Sequence, residues 1–165
     1  MIFAYADPPY FKQGKRLYAE HHPDAAIWDN KETHLELLEK LKTNYPDGWA
    51  LSCNPADLAW LLPAAGSARV CVWAKTFHQI RPLCSVQYAW EPVILSGGRQ
   101  IKNRKPMTRD WLAAARSMRK GLPGAKPDAF NDWLLDLLGY ETGDELHDLF
   151  PGTNGLAAAV ERRQP

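Results

Sequence analysis

The stretch Phe3–Lys12, FAYADPPYFK, decides how the chain is read. Residues 1–6, MIFAYA, are a short apolar run that includes a β-branched residue and two aromatics and meets a breaker, which predicts a buried strand. Asp7 falls where that strand ends. Pro8 and Pro9 lock φ twice and remove two backbone donors. The chain therefore leaves the strand through a stiff bend, with a carboxylate, free carbonyls and the ring of Tyr10 held near one point. In open α/β sheets ligands bind outside the carboxyl ends of strands, which makes this bend a candidate site. An ordinary strand stop, with Asp7 capping a neighbour, accounts for the same four residues.

Size and composition narrow the classes. A chain of 165 residues that is 45% hydrophobic fits a single domain, 1–165, with a real core. No run approaches the ~20 apolar residues of a membrane span, and no charged-then-apolar leader opens the chain. Cys53, Cys71 and Cys84 are odd in number, widely spaced and without a C-x-x-C pair. Neither a zinc site nor a disulfide framework is expected, and a reducing cytoplasm is. His21, His22 and His34 lack a second cluster of ligand spacing, so no metal is expected either. Net charge is only +1, but its distribution is uneven. The segment 99–120 carries eight basic residues (Arg99, Lys102, Arg104, Lys105, Arg109, Arg116, Arg119 and Lys120) against one acid, Asp110. Such clustering is an electrostatic footprint for phosphate, although a solvated loop with a basic helix would look the same. Lys12, Lys15 and Arg16, just after the bend, join Arg99, Lys102, Arg104, Lys105 and Arg109 as candidate nucleic-acid contacts.

Along the chain, Lys12 to Trp28 reads as a long polar loop, of the kind that is functional or disordered in compact domains. A helix follows, capped by Asp29 or Asn30, with Glu32 completing a capping box and Leu35, Leu38 and Leu41 as its buried stripe. It stops at Pro46-Asp47-Gly48. WALSC from Trp49 is a second strand. Asn54-Pro55 opens a helix whose Leu58, Leu61 and Leu62 face the core before Pro63. RVCVWAK from Arg69 is a third strand, and WEPVILSGG from Trp90 a fourth, placed near an edge by Pro92. A helix over 127–138 is ended by Gly139. A fifth strand then ends at Asp148–Phe150, followed by a glycine-bearing bend and a final helix. About five strands alternating with helices predict a parallel, doubly wound α/β sheet.

DLFPGTNG, residues 148–155, is the second chemical signal. Gly152 and Gly155 let backbone approach a ligand, and a helix N-terminus favours a negative group. A lone glycine bend is more often a tight turn. Paired with DPPY in one α/β chain, it resembles the amino-group methyltransferases that use S-adenosylmethionine, whose catalytic loop is D/N/S-P-P-Y/F/W and whose cofactor loop is of the D-x-F-x-G-x-G kind. The order, catalytic loop first and cofactor loop last, resembles that of the permuted β-class DNA methyltransferases and the related mRNA adenosine methyltransferases. AKPDAF, residues 125–130, is similar to the Lys-Pro pair with which those families open the helix before the cofactor strand. VWAK and WEPVIL fall where their middle strands would be. The resemblance covers nearly the whole chain and is nearest to the small phage and prophage methylases.

What the resemblance implies is a Rossmann-like class I methyltransferase fold with a catalytic loop at 7–28, a basic nucleic-acid segment at 99–120 and a cofactor loop at 148–156. Asp rather than Ser before the prolines points to adenine N6 more than to cytosine N4. Asp7, with the Pro8 carbonyl, would accept hydrogen bonds from the exocyclic amine, Pro9 would stiffen the bend, and Tyr10 would stack on a base rotated out of the duplex. Lys126 would pair with the methionine carboxylate, while Asp7, Asp148, Phe150, Gly152, Thr153 and Asn154 line the cofactor pocket. Two departures accompany the match. Asn154 stands in the slot of the second glycine, where its tolerance of left-handed φ keeps the bend available. An acidic residue that grips the ribose usually lies ~20 residues beyond the glycine loop, and the sequence stops at Pro165, so a C-terminally truncated version of the fold is expected. The ribose would then be met by Asn154, by the 12–28 loop or by a neighbouring subunit in a homodimer. DNA is the expected partner. RNA methylation, or nucleic-acid binding by a methyltransferase fold with a decayed cofactor site, is the alternative.

Overall fold

The computed structural model describes residues 1–20, 23–77, 80, 82–100, 107–117 and 125–164. Its strands are β1 (Ile2–Ala6), β2 (Gly48–Ser52), β3 (Arg69–Lys75), β4 (Trp90–Gly97), β5 (Trp111–Ala114) and β6 (Glu145–Asp148). Its helices are α1 (Gly14–Tyr18), α2 (Lys31–Asn44), α3 (Leu58–Ala65), α4 (Asp128–Leu138) and α5 (Gly155–Glu161), with 3-10 turns at Ala25–Asp29 and Pro55–Asp57. The strands form one six-stranded sheet in the order β5-β3-β4-β2-β1-β6.

Side chains alternate across β1, and this sorts the core into two layers. Phe3 and Tyr5 point to one face, where Phe130, Leu134, Leu135 and Leu138 of α4 and Leu156 and Ala159 of α5 cover them. Ala4 and Ala6 point to the other, under Leu37, Leu38 and Leu41 of α2 and Leu61 and Ala65 of α3. Leu35 of the expected stripe is only half-buried; His34 and Leu37 complete it instead. Gly139 ends α4 in the left-handed region at φ 68, and Tyr140 N–H closes back to the Leu135 carbonyl at 2.9 Å.

Several expectations need correction. The sheet has six strands where about five were expected, and it is mixed rather than parallel. β4 runs antiparallel to both β2 and β3. The missed strand, β5, lies inside the basic segment that composition reads as loop or helix. Its residues WLAA have no strong β pattern, and parallel pairing with β3 decides their conformation. β4 is not at an edge. It lies between β3 and β2, and Pro92 is tolerated because its nitrogen faces β2 just past the last paired residue, Ser52 opposite Val93. There the Pro92 carbonyl still accepts from Cys53 N–H at 3.3 Å. The 12–28 segment is not a continuous loop: it holds α1 and a 3-10 turn. Asp29 does not cap α2. Its carboxylate reaches back to Gly14 N–H at 2.8 Å and Lys15 N–H at 3.3 Å, and so caps α1. No helix among the described residues is long and apolar enough to cross a membrane.

Candidate active site

β1 and β6 run parallel, and their register sets Tyr5 beside Asp148. Both strands therefore deliver a carboxylate at the same edge of the sheet, Asp7 one residue past β1 and Asp148 at the end of β6. The antiparallel β4 adds a third. It starts where its neighbours end, so Glu91, its second residue, arrives at this edge opposite Trp73 and within reach of the side chain of Lys75, the last residue of β3. A parallel β4 would have put Glu91 at the opposite edge. Lys126, just before α4, completes the group.

These side chains form one network. The Lys126 ammonium lies 3.0 and 2.9 Å from the two Asp7 oxygens, 3.1 Å from Glu91 Oε2 and 3.3 Å from the Tyr10 hydroxyl. Tyr10 donates to Glu91 Oε2 at 2.9 Å and reaches Asp7 Oδ1 at only 3.5 Å. Lys75 pairs with the other Glu91 oxygen. Three rings, of Tyr10, Phe130 and Trp73, surround the Lys126 ammonium at 5.6, 5.7 and 5.8 Å. The two carboxylates respond differently to this setting. Burial raises the Glu91 pKa, but Lys126 and Lys75 outweigh it and bring the group down to about 2. Burial raises the Asp7 pKa too; Lys126 opposes this and Glu91 reinforces it, and the net shift is upward. Burial also works against the charge of Lys126, yet Asp7 and Glu91 hold it ionised.

Asp148 is the other perturbed acid. Burial pushes it up to about 6, the Phe150 N–H at 3.2 Å lowers it, and the charge of Asp7 raises it further. Beyond it the chain turns through Gly152 at φ 47 and Asn154 at φ 56, so Asn154 takes the left-handed conformation and stands as the N-cap of α5. Gly152, Thr153 and Asn154 are exposed at the lip. The Phe150 ring packs edge-on against Trp28 at 5.1 Å. Trp28, His34, Trp60 and Phe11 continue this cluster at 5.3 to 5.9 Å, so the Asp7–Tyr10 bend and the 148–156 loop are braced on the same aromatic group. His34 belongs to it: burial lowers its pKa, and its Nε2 lies 2.9 Å from the Trp28 carbonyl.

The expected residues divide accordingly. Asp7, Pro8, Pro9 and Tyr10 come together with Lys126, but Lys126 sits on Asp7 and Glu91 rather than at the 148–156 loop. Lys12, Lys15 and Arg16 are exposed beside the bend, and Lys12 and Lys31 lie over the Phe11 ring at 5.2 and 5.7 Å. Arg99 is not brought here. It lies at the far edge of the sheet, donating to both Asp144 oxygens at 2.7 Å, next to the N-terminal ammonium. Arg109 precedes β5, its guanidinium 5.7 Å from the Trp111 ring. Lys102, Arg104 and Lys105, with Arg119, Lys120, His21 and His22, lie outside the described residues. Glu91 and Lys75 were missed. The available signal was a glutamate inside an otherwise apolar strand, since a charge survives there only with a partner.

No protein-family description matches the chain, and no curated protein does. Solved structures do match. The M1.HpyAVI–SAM complex superposes with a TM-score of 0.67 at 14% identity, over 97% of this chain and 76% of that one. TTHA0409 of Thermus thermophilus, named a "Putative DNA Modification Methylase", gives 0.59 at 17% identity over 97% and 75%. Its complex with S-adenosyl-L-methionine gives 0.53 at 15% identity over 98% and 77%. The chain thus shares its α/β fold with these proteins over about three quarters of their length.

Proposed function

We propose that the chain is an S-adenosylmethionine-dependent DNA methyltransferase acting on the N6 amine of adenine. The observation that carries this reading is the pair of acids, Asp7 and Asp148, at adjacent strand ends. Asp7 is already paired with Lys126, but no ion pair among the described residues neutralises Asp148, whose pKa is raised by burial and by the charge of Asp7, so a cation placed at this strand end would be favoured. S-adenosylmethionine has a sulfonium and an ammonium, and when bound it supplies an electrophilic methyl group. The fold shared with a protein solved with that ligand supports the same choice. Asp148 and the exposed Gly152–Asn154 lip would hold it, with Phe150 fixing the loop from behind.

The chain's own residues then do four things. The Asp7 carboxylate and the Pro8 carbonyl accept N–H bonds from the target amine, which frees its lone pair from conjugation with the ring. Pro9 keeps these acceptors in place without reorganisation. Tyr10, its hydroxyl held by Glu91, offers a ring face on which an extruded base stacks. Asp7 takes the proton shed by the amine as the new N–C bond forms, and its raised pKa suits that role. Lys12, Lys15, Arg16 and Lys31 supply positive charge beside the mouth for the DNA backbone. Tritiated-methyl S-adenosylmethionine incubated with mixed-sequence duplex DNA tests the reading, followed by nucleoside digestion and chromatography. Label in N6-methyladenine supports it; label in N4-methylcytosine, or none, removes it.

A further inference from the structure

Lys126 is shared unequally between two acids. Asp7 has Lys126 and a long 3.5 Å contact to Tyr10, whereas Glu91 has Lys126, Lys75 and the Tyr10 hydroxyl at 2.9 Å. Two carboxylates and two ammonium groups balance, so the network is neutral as a unit. The ammonium also stands where an incoming amine must be, on the Asp7 oxygens beside the Tyr10 ring. Both Asp7 oxygens are engaged by Lys126, so an incoming amine must compete with that ammonium for their remaining lone pairs. The nearest other acceptor is Glu91 Oε2, already 3.1 Å from the same nitrogen.

We infer that Glu91 is a positioning residue that takes the Lys126 ammonium from Asp7 as the target amine arrives, keeping Lys126 charged and paired inside the site. This rests on the methyltransferase reading for its substrate, but not for the sharing itself. The hand-off needs no exit from the pocket. Lys126 has three N–H donors, and Glu91 Oε2, the Tyr10 hydroxyl and the three surrounding rings remain with it after the Asp7 bonds are given up. Lys75 sets the balance, because it satisfies the other Glu91 oxygen and limits how strongly Glu91 draws Lys126.

The groups facing Asp7 are Lys126 before α4, Glu91 on β4, Tyr10 in its own bend, Tyr5 on β1, Tyr18 on α1, Cys53 after β2 and Asp148 on β6. Lys75 on β3 acts through Glu91. A carboxyl-carbon NMR titration of Asp7 in the whole chain therefore reads the sharing directly. Glu91→Gln leaves Lys126 to Asp7 alone and should move the Asp7 midpoint to lower pH. Lys75→Met gives Glu91 a stronger hold on Lys126 and should move it to higher pH. Opposite signs show that both groups are coupled to Asp7, and a loss of rate at unchanged DNA affinity is what a merely structural Glu91 would not give. In single-turnover methyl transfer, Glu91→Gln should lower the rate at least tenfold with KM for DNA within threefold, and Glu91→Asp should restore part of it. The same Asp7 midpoint in both variants, or an undiminished rate in folded Glu91→Gln, overturns the inference. If Glu91→Gln does not fold, Lys75→Met alone decides through the sign of its shift. If wild type transfers no methyl group, the functional reading falls while the titration still decides the sharing.

Discussion

Replacing Asp148 with asparagine should make the protein more stable. Asp148 titrates at about 6 instead of 3.8 because it is half-buried and faces Asp7. Its folded pKa lies above the unfolded value, so folding favours the protonated acid. The penalty is absent below the unfolded pKa, grows as pH rises, and is complete above about 6. A shift of about two units corresponds to a ceiling of about 3 kcal/mol at 1.36 kcal/mol per unit. Partial exposure reduces this, and about 1–2 kcal/mol is expected. Asparagine keeps an Oδ1 that can accept from Phe150 N–H, so the turn survives the change. Urea unfolding of wild type and Asp148→Asn at about pH 7.5 should separate the curves by that amount at constant m, and the gap should close near pH 3.5–4. Calorimetry with S-adenosylhomocysteine, whose ammonium remains, should show weaker binding by the more stable variant. A variant that is less stable at pH 7.5, or a gap independent of pH, would refute the account of a charge retained for a ligand at the expense of stability.

Asp7→Ala should abolish methyl transfer while leaving a folded protein; Tyr10→Phe should be milder, since the stacking face remains and only the hydroxyl, with its contacts to Glu91, Lys126 and Asp7, is lost. Lys126→Met should lower stability by about 3–5 kcal/mol at neutral pH, because it leaves buried Asp7 and Glu91 without their shared cation. Thermal and urea unfolding check it, and acidification that protonates Asp7 should narrow the difference. Neutralising Lys12, Lys15 and Arg16 together should weaken DNA binding across sequences and flatten the salt dependence by about 0.9 for each phosphate no longer neutralised. Arg99→Ala should leave that slope unchanged and lower thermal stability instead, since its guanidinium is committed to Asp144.

Most of the fold was readable where local chemistry and tertiary structure agree. MIFAYA, RVCVWAK and the 127–138 helix have apolar patterns that match their burial, and DPPY marks the strand end in a way no helix could accommodate. The failures share one cause, which is partners distant in sequence. β5 is a strand only because β3 offers its edge, and WLAA alone favours helix as much as strand. Pro92 argues for an edge until it is seen that β2 has already ended beside it. Asp29 precedes α2 and looks like its cap, yet it meets the free N–H groups of α1, fifteen residues earlier. The position of Asp7 on its proline bend at a strand end was legible; Glu91 was not. Its role depends on the antiparallel direction of β4, which sequence does not disclose. Lys126 was singled out for a cofactor carboxylate, and its contact with Asp7, 119 residues away, was not foreseen.

The most direct test of the central claim is the position of the methyl group. Wild type and Asp7→Asn, each shown to be folded, would be given tritiated-methyl S-adenosylmethionine and duplex DNA, and the digested nucleosides separated. The account predicts label at N6 of adenine with wild type and background with Asp7→Asn. Equal label with the two proteins would remove Asp7 from the chemistry. No label with wild type, together with no calorimetric binding of S-adenosylhomocysteine, would contradict the claim that this site transfers a methyl group.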